Sequence, residues 1–234
     1  MTQRPLGAQV SHMLKDRGVD VIFGIPGVHN QEMYRGIEEA GITHVLARHE
    51  QGAGFMADGY ARATGKPGVA YVITGPGLCN IMTPMGQAYS DSVPMLVISS
   101  CLDETAAKRG QLHQMKDQEG AARTVCDWSE TARSAEAVYG LIDRAFTEFQ
   151  IARERPKHIT IPIAQLEAVA GNRQTKGRIG CFDLRPPQDP DVARFVDRLT
   201  SARKPLFVFG GGATGAMQAI RRILQKVPAA AFTT

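Results

Sequence analysis

Short apolar segments and amphipathic segments alternate along most of this chain, and this alternation restricts its fold more than any other feature. The apolar segments at 19–23, 43–47, 68–74, 94–100 and 156–163 have the length and composition of buried strands. Between them, apolar residues recur at helical spacing over residues 6–17, 31–40, 51–63, 80–90 and 134–152. Strands that alternate with helices in this way form parallel sheets. The sequence therefore predicts an α/β fold, with a parallel sheet flanked by helices on both faces.

Three loops with chemically informative residues come directly after predicted strands. They contain residues 24–27, the pair His49 and Glu50, and residues 74–77. Ligands of open parallel sheets bind at the carboxyl ends of the strands. We therefore expect the three loops to border one crevice.

Composition and charge argue against several classes of function. The 27 basic and 23 acidic residues give a net charge of +4 and are interspersed, which does not favour a nucleic-acid partner. No apolar run approaches the roughly 18 residues of a membrane span, and the N-terminus lacks the apolar core of a signal peptide. We therefore expect a cytoplasmic protein with no membrane partner. The four cysteines and six histidines have no metal-binding spacing, so we expect no metal site in this chain.

The rest of the sequence indicates two units joined by a linker. Residues 102–129 are polar and weakly patterned, and we interpret them as a long functional loop. Residues 169–190 are rich in Gly and Pro, which is typical of a linker. The first domain would then cover residues 1–168. A second unit would begin at 191, with a helix at 192–199 and a strand at 206–209.

Two motifs carry a resemblance to a known enzyme family. They are residues 48–62 (RHEQGAGFMADGYAR) and residues 74–80 (TGPGLCN). Together they resemble the pyrimidine-binding domain of thiamine diphosphate enzymes of the acetolactate synthase and 2-oxo acid decarboxylase type. The resemblance implies that residues 1–168 bind the aminopyrimidine ring of this cofactor.

The resemblance gives Glu50 the first catalytic role. In this family, the carboxyl group at this position hydrogen-bonds the pyrimidine nitrogen and drives the ring to its imino form. The cofactor supplies the carbanion and the electron sink, while the protein supplies the contact and the geometry. Taken alone, Glu50 could equally stabilise the N-terminus of the following helix.

The loop at residues 74–80 is the second element of the resemblance. It implies that Pro76 and Asn80 contact or position the pyrimidine, with Thr74 and Gly77 in the same binding loop. Glycine permits close approach of the backbone to a flat ring. Related synthases often have Ser where Thr74 stands. The alternative is a tight turn with Asn80 as a helix cap.

Two further loops complete the site that the resemblance implies. Pro26 and Gly27 lie in the loop that borders the reacting carbonyl in related enzymes, and several carboligases and lyases have a His at the position of His29. His113 and Gln114 stand near the position where related synthases place a Phe-Gln pair from the neighbouring subunit. His29, His113 and Gln114 are therefore predicted to act with Glu50, since histidine exchanges protons near neutral pH. Polar surface loops remain the alternative.

A glycine-rich motif in the second unit offers a different reading. Residues 210–215 match G-x-G-x-x-G after a strand, which by itself indicates a dinucleotide site. The acidic residue expected about twenty positions later is missing, because residues 216–234 contain no Asp or Glu. Some members of the thiamine family bind FAD in their middle domain, but nothing here supports FAD, and we assign no ligand.

The sequence also lacks the motif that holds the cofactor's diphosphate. The family uses Gly-Asp-Gly and a downstream Asn to bind Mg²⁺ and the phosphates, and this chain has no Gly-Asp-Gly. We therefore expect an N-terminal part of a longer enzyme, with residues 191–234 beginning a truncated middle domain, and we expect the chain alone to be inactive.

The resemblance implies that the parent is a 2-oxo acid decarboxylase or an acetolactate synthase-like carboligase, closest to the 5-guanidino-2-oxopentanoate decarboxylase branch. It also implies a homodimer or homotetramer with active sites between subunits. The alternatives are a noncatalytic or split subunit that needs a separate diphosphate-binding partner, and a nucleotide-binding oxidoreductase.

Overall fold

The computed structural model describes residues 3–102, 110–171 and 187–234. Contacts divide the chain into two compact units, Met1–Phe182 and Asp183–Thr234, and each is described by itself. Most of the predicted linker, residues 172–186, lies outside the described residues.

In its described residues, the first unit contains a six-stranded parallel sheet and a separate antiparallel pair of short strands. The described elements of the unit are as follows. Its strands are β1 (Arg4–Pro5), β2 (Val21–Gly24), β3 (Thr43–Leu46), β4 (Gly68–Val72), β5 (Met95–Cys101), β6 (Trp128–Thr131), β7 (Lys157–Pro162) and β8 (Val169–Ala170). Its helices are α1 (Leu6–Asp16), α2 (Gln31–Glu39), α3 (Glu50–Thr64), α4 (Pro76–Asp91), α5 (Gln118–Arg123), α6 (Ala135–Ile151) and α7 (Ile163–Glu167). Within the described residues, six strands pair in parallel in the order β3-β2-β4-β5-β7-β6. This confirms the predicted α/β fold.

The central strands separate two apolar cores. All residues of β4 and β5 are buried, as expected for strands covered on both faces. Successive side chains point to opposite faces, so Val69 and Tyr71 join one core cluster while Ala70 and Val72 join the other. Helices α1, α2 and α6 contribute to the first cluster, and α3 and α4 to the second. The sheet is therefore covered by an apolar core on each face.

Helix α4 begins earlier than its apolar pattern predicts. The predicted start was residue 80, but the helix begins at Pro76, directly after Gly75 with a φ of 65°. Proline suits the first helical position because its fixed φ is already helical and its missing N–H needs no partner there. This places residues 76–79 on the first turn of a helix.

Residues 110–129, within the predicted long loop, contain regular secondary structure. Residues 103–109 lie outside the described residues, but the remainder contains α5 and the start of β6. Asp117 caps α5 by accepting a hydrogen bond from the N–H of Gly120 at 2.8 Å. The interpretation of the whole segment as loop was therefore wrong. A six-residue helix and a polar edge strand are too short to show a clear period.

The start of the predicted linker is part of the first unit's hydrogen-bonding pattern. Strand β8 pairs antiparallel with β1, and the hydroxyl of Tyr139 donates to the carbonyl of Gly171 at 2.7 Å. The boundary at residue 168 and the linker at 169–190 stay predictions.

The second unit consists of short elements. They are α8 (Asp189–Ser201), β9 (Leu206–Phe209), a 3-10 helix (Gly211–Ala216), α9 (Met217–Lys226) and β10 (Ala230–Thr233). Strands β9 and β10 pair in parallel. The motif at 210–215 forms a 3-10 helix, and α9 begins only after it. Among the described residues, no helix is long and apolar enough to cross a membrane.

Candidate functional site

Glu50 is the first residue of α3 and lies at the carboxyl edge of the sheet. Its residue exposure is only 9%. The helix begins here because the Nδ1 atom of His49 accepts a hydrogen bond from the N–H of Gln51 at 3.1 Å. The capping role is thus filled by His49, and the Glu50 carboxylate lies near the positive end of the helix dipole. The Glu50 carboxylate therefore takes no part in the N-cap hydrogen bond, although its place in the first turn also stabilises the start of the helix.

Asn80 and Gly77 define the surroundings of the Glu50 carboxylate. The Nδ2 atom of Asn80 donates to Glu50 Oε2 at 2.8 Å, which holds the carboxyl group in one orientation. A Cβ atom on Gly77 would lie 3.5 Å from Glu50 Oε1. The backbone of Gly77 therefore approaches the second carboxylate oxygen without a side chain in between.

Thr74 joins the same loop to the end of β5 through hydrogen bonds with Ser100. Its side chain is buried, and its Oγ1 atom lies 3.0 Å from Ser100 Oγ, which also accepts from the N–H of Thr74 at 3.1 Å. The hydroxyl is thus committed to the end of β5. Pro76, by contrast, is exposed at the start of α4.

The loop after β2 is held by hydrogen bonds with Asn30, a residue that the sequence analysis did not select. Asn30 is fully buried, and its Oδ1 atom accepts from the N–H of Gly27 at 2.7 Å. Its Nδ2 atom donates to the carbonyl of Ile25 at 3.4 Å. These bonds hold the backbone at Ile25 and Gly27, while Pro26 between them is exposed. The position of Asn30 before a predicted helix was the available signal.

Ile73 joins the two glycine loops, and sequence reasoning missed it. A Cβ on Gly27 would lie 2.4 Å from Ile73 Cδ1, and a Cβ on Gly77 would lie 2.7 Å from Ile73 Cγ2. Neither position accepts a larger residue without movement. The Ile73 side chain therefore fills the space between the loops after β2 and β4.

His29 and His113 come together although they are far apart in sequence. Their ring centroids are 5.6 Å apart, and the planes cross at 77°. The Nδ1 atom of each ring is buried and has no hydrogen-bond partner among the described residues. Burial lowers the pKa of His29, and the positive charge that His113 can carry lowers it further. Two neighbouring rings, each with a buried nitrogen that has no partner among the described residues, are suited to meeting a polar ligand.

Gln114 lies in the same segment, and its side chain hydrogen-bonds the backbone of that segment. Its Oε1 atom accepts hydrogen bonds from the N–H groups of Gly110 at 2.9 Å and Gln111 at 3.2 Å. These contacts close the turn that presents His113. His113 itself has a φ of 63°, an uncommon value for a residue with a side chain.

A buried side chain ties this segment to the rest of the site, and sequence reasoning missed it as well. The Oε1 atom of Gln118 accepts from the N–H of Gly75 at 2.9 Å. A Cβ on Gly75 would lie 2.1 Å from the carbonyl oxygen of His113. The loop at 74–77 is thus in contact with the segment that contains His113.

These contacts form one continuous edge. They link Glu50 to Asn80 and Gly77, Gly77 through Ile73 to Gly27, and Gly75 to the His113 segment. Three features of this edge fit a flat heteroaromatic ring with hydrogen-bonding nitrogens. They are an oriented buried carboxylate, glycines at which a Cβ would meet neighbouring atoms, and ring nitrogens without partners among the described residues. Thiamine's aminopyrimidine is such a ring.

Comparison with known proteins places the chain in one family. Residues 4–121 match the family described as "Thiamine pyrophosphate enzyme, N-terminal TPP binding domain". A probable 2-ketoarginine decarboxylase from Pseudomonas aeruginosa is 44% identical over 97% of this chain. The mitochondrial acetolactate synthase catalytic subunit of Saccharomyces cerevisiae is 34% identical over 88% of the chain, and the acetolactate synthase large subunit of Lactococcus lactis is 30% identical over 93%.

The match covers only part of each relative. The chain spans 41% of the Pseudomonas protein, 31% of the yeast protein and 38% of the Lactococcus protein. The family match itself covers the segment that contains β2 to β5, Glu50 and His113. The chain therefore belongs to the thiamine pyrophosphate enzyme family and contains its N-terminal cofactor-binding domain.

Proposed function

We propose that this chain supplies the aminopyrimidine-binding side of an active site that decarboxylates 2-oxo acids or joins them to a second carbonyl compound. The observation that carries the proposal is the Glu50 carboxylate, which is buried, held at Oε2 by Asn80, and approached at Oε1 by the backbone of Gly77. The chain's membership of the thiamine pyrophosphate enzyme family supports the same role for Glu50.

Glu50 is the group that would handle the first proton. Thiamine diphosphate, when bound, supplies the carbon nucleophile and the electron sink for loss of carbon dioxide. Glu50 holds or accepts a proton at Oε1, while the Asn80 amide keeps Oε2 in place. Gly77 leaves room for a ring against the carboxylate because it lacks a side chain.

The two histidines would act on the substrate side of the site. Burial and the neighbouring His113 both lower the pKa of His29, which favours its neutral form. A neutral ring can donate from one nitrogen and accept at the other. We propose that His29 and His113 orient the substrate or pass protons at Nδ1. Gln114 shapes the turn that presents His113.

Pro26, Gly27, Thr74 and Pro76 complete the proposed cofactor site. Thr74 acts through Ser100 at the strand end, because its hydroxyl lies against that residue. Mg²⁺ and the diphosphate would be held by a separate domain, because this chain lacks the Gly-Asp-Gly motif. We further propose a cytoplasmic homodimer or homotetramer with the active site between subunits.

The relatives indicate which substrate to test first. The probable 2-ketoarginine decarboxylase is 44% identical to the chain, against 34% for the yeast acetolactate synthase subunit. We therefore propose a 2-oxo acid with a guanidino group as the first candidate, ahead of the carboligase reaction.

The test is activity of the whole protein with thiamine diphosphate and Mg²⁺ on a panel of 2-oxo acids. We expect carbon dioxide release that depends on the cofactor, and a loss of about 10²-fold or more in kcat for Glu50→Gln, in the range of lost proton-transfer catalysis. Glu136→Gln is the control, because Glu136 is exposed on α6. Equal activity of the two variants would overturn the role of Glu50.

A further inference from the structure

A buried polar network lies beneath the proposed cofactor loop. It contains Gln118, Ser99, Thr160, His158 and Ser129, and these side chains are all at least nine-tenths buried. The ring of His158 lies at its centre, with Nε2 2.7 Å from Ser99 Oγ and Nδ1 2.7 Å from Ser129 Oγ. Buried polar groups need such partners because water cannot reach them.

Gln118 is the member of this network that reaches the site. Its Nε2 atom lies 2.8 Å from the carbonyl oxygen of Ser100, 2.9 Å from Thr160 Oγ1 and 3.0 Å from Ser99 Oγ, so these three acceptors share its two hydrogens. Its Oε1 atom accepts from the N–H of Gly75 at 2.9 Å. The amide can only be oriented this way, since a backbone carbonyl only accepts and a backbone N–H only donates.

The Gly75 backbone is held from two directions by one short segment. Gln118 accepts from its N–H, and the carbonyl of His113 lies where a Cβ would be, 2.1 Å from that position. Gly75 has a φ of 65° and directly precedes the first turn of α4, which contains Gly77 and leads to Asn80. Whatever fixes Gly75 therefore fixes the start of that turn.

We propose that Gln118 is a positioning residue that sets the cofactor loop and the His113 segment relative to each other. It does this by joining the ends of β5 and β7 to the N–H of Gly75. This inference rests on the proposed function, because the loop is assigned there to the aminopyrimidine ring. In this proposal Gln118 acts through its hydrogen bond with the N–H of Gly75.

The first test compares Gln118→Met with Ser129→Ala. Both remove buried hydrogen bonds from the same network, but Ser129 bonds only His158 there and does not touch Gly75. We expect Gln118→Met to weaken thiamine diphosphate binding by about tenfold or more, because an unsatisfied Gly75 N–H no longer holds the loop. Ser129→Ala should bind the cofactor within about twofold of the wild type, by calorimetry with Mg²⁺ present.

Hydrogen exchange without cofactor gives a second readout. The Gly75 amide should exchange faster in Gln118→Met than in the wild type, and should be unchanged in Ser129→Ala. A general loss of stability would speed exchange in both variants alike. That result, or cofactor binding by Gln118→Met as tight as the wild type's, would overturn the inference.

A third variant keeps the proposal testable if Gln118→Met does not fold. Gln118→Glu keeps an acceptor for Gly75 but can donate to the Ser100 carbonyl only when its carboxyl is protonated. Cofactor affinity of this variant should therefore fall as pH rises, while the wild type shows no such step. A variant profile that matches the wild type would also contradict the inference. Failure of the wild type itself to bind thiamine diphosphate would instead reject the proposed function.

Discussion

Three residues at the carboxyl edge of the sheet are each held by a hydrogen bond with an amide side chain. Glu50 is oriented by Asn80, Gly27 is held by Asn30, and Gly75 is held by Gln118. In each case an amide side chain holds a charged group or a backbone N–H. Amides can donate and accept at once, so they suit this task without adding charge near the site.

The His29 and His113 pair leads to a prediction about proton affinity. Burial lowers the pKa of His29 most, and His113 lowers it further. We expect His29 to titrate below the ordinary value of about 6.5. In His113→Gln its pKa should rise only part of the way, because the like charge is removed while the burial remains.

Ring resonances followed by NMR across a pH series would check this. A His29 that titrates at or above the ordinary histidine value would contradict the described packing. So would a His113→Gln variant that leaves the His29 pKa unchanged, because the two rings would then not interact.

At the scale of elements, apolar patterns predicted the long helices and the buried strands well. They predicted α1, α2, α3, α6 and strands β2 to β5 with ends close to those observed. They failed for α5 and β6, which are short, and for the start of α4. The start of α4 depends on Gly75 and Pro76, whose local conformations outweigh the apolar period.

The turn into α4 leads to a prediction with a matched control. Gly75 and Gly65 have φ values of 65° and 70°, so Ala costs about 1 kcal/mol or more at either position. Only at Gly75 would the new Cβ also meet the His113 carbonyl, whereas nothing lies within 4 Å at Gly65. We therefore expect Gly75→Ala to lose cofactor binding, and Gly65→Ala to keep it.

Urea unfolding and calorimetric titration with thiamine diphosphate would measure both effects. Gly75→Ala should be the less stable of the two. Retained cofactor affinity in Gly75→Ala would show that the turn does not form part of the site.

Across the whole molecule, the sequence was sufficient for the fold class and for the sheet edge at which the motif residues lie, while the site itself stays a proposal. The alternation of segments predicted the parallel sheet, and the motif residues lie at its carboxyl edge. The contacts that bind the site together could not be predicted. Ile73, Asn30 and Gln118 meet their partners through tertiary packing, which leaves no short-range signal in the sequence.

The buried network leads to a prediction about stability. Burial lowers the pKa of His158 to about 3, while the unfolded chain has a value near 6.5. Between these values the unfolded state binds a proton that the folded state does not, so folded stability falls as pH decreases. The slope is about 1.4 kcal/mol per pH unit from this group.

Urea unfolding of the wild type and His158→Gln over this pH range is the appropriate measurement. The variant should be less stable at neutral pH but should lose the His158 share of the pH dependence. An equal slope in the two proteins would show that His158 is not the source of the acid sensitivity.

The most direct test of the central claim is a crystal structure of the whole protein with thiamine diphosphate and Mg²⁺. We predict that the aminopyrimidine ring lies against Gly77, with a ring nitrogen within hydrogen-bond distance of Glu50, about 2.6–3.2 Å. A ring bound elsewhere, with Glu50 in contact only with Asn80 and solvent, would contradict the account.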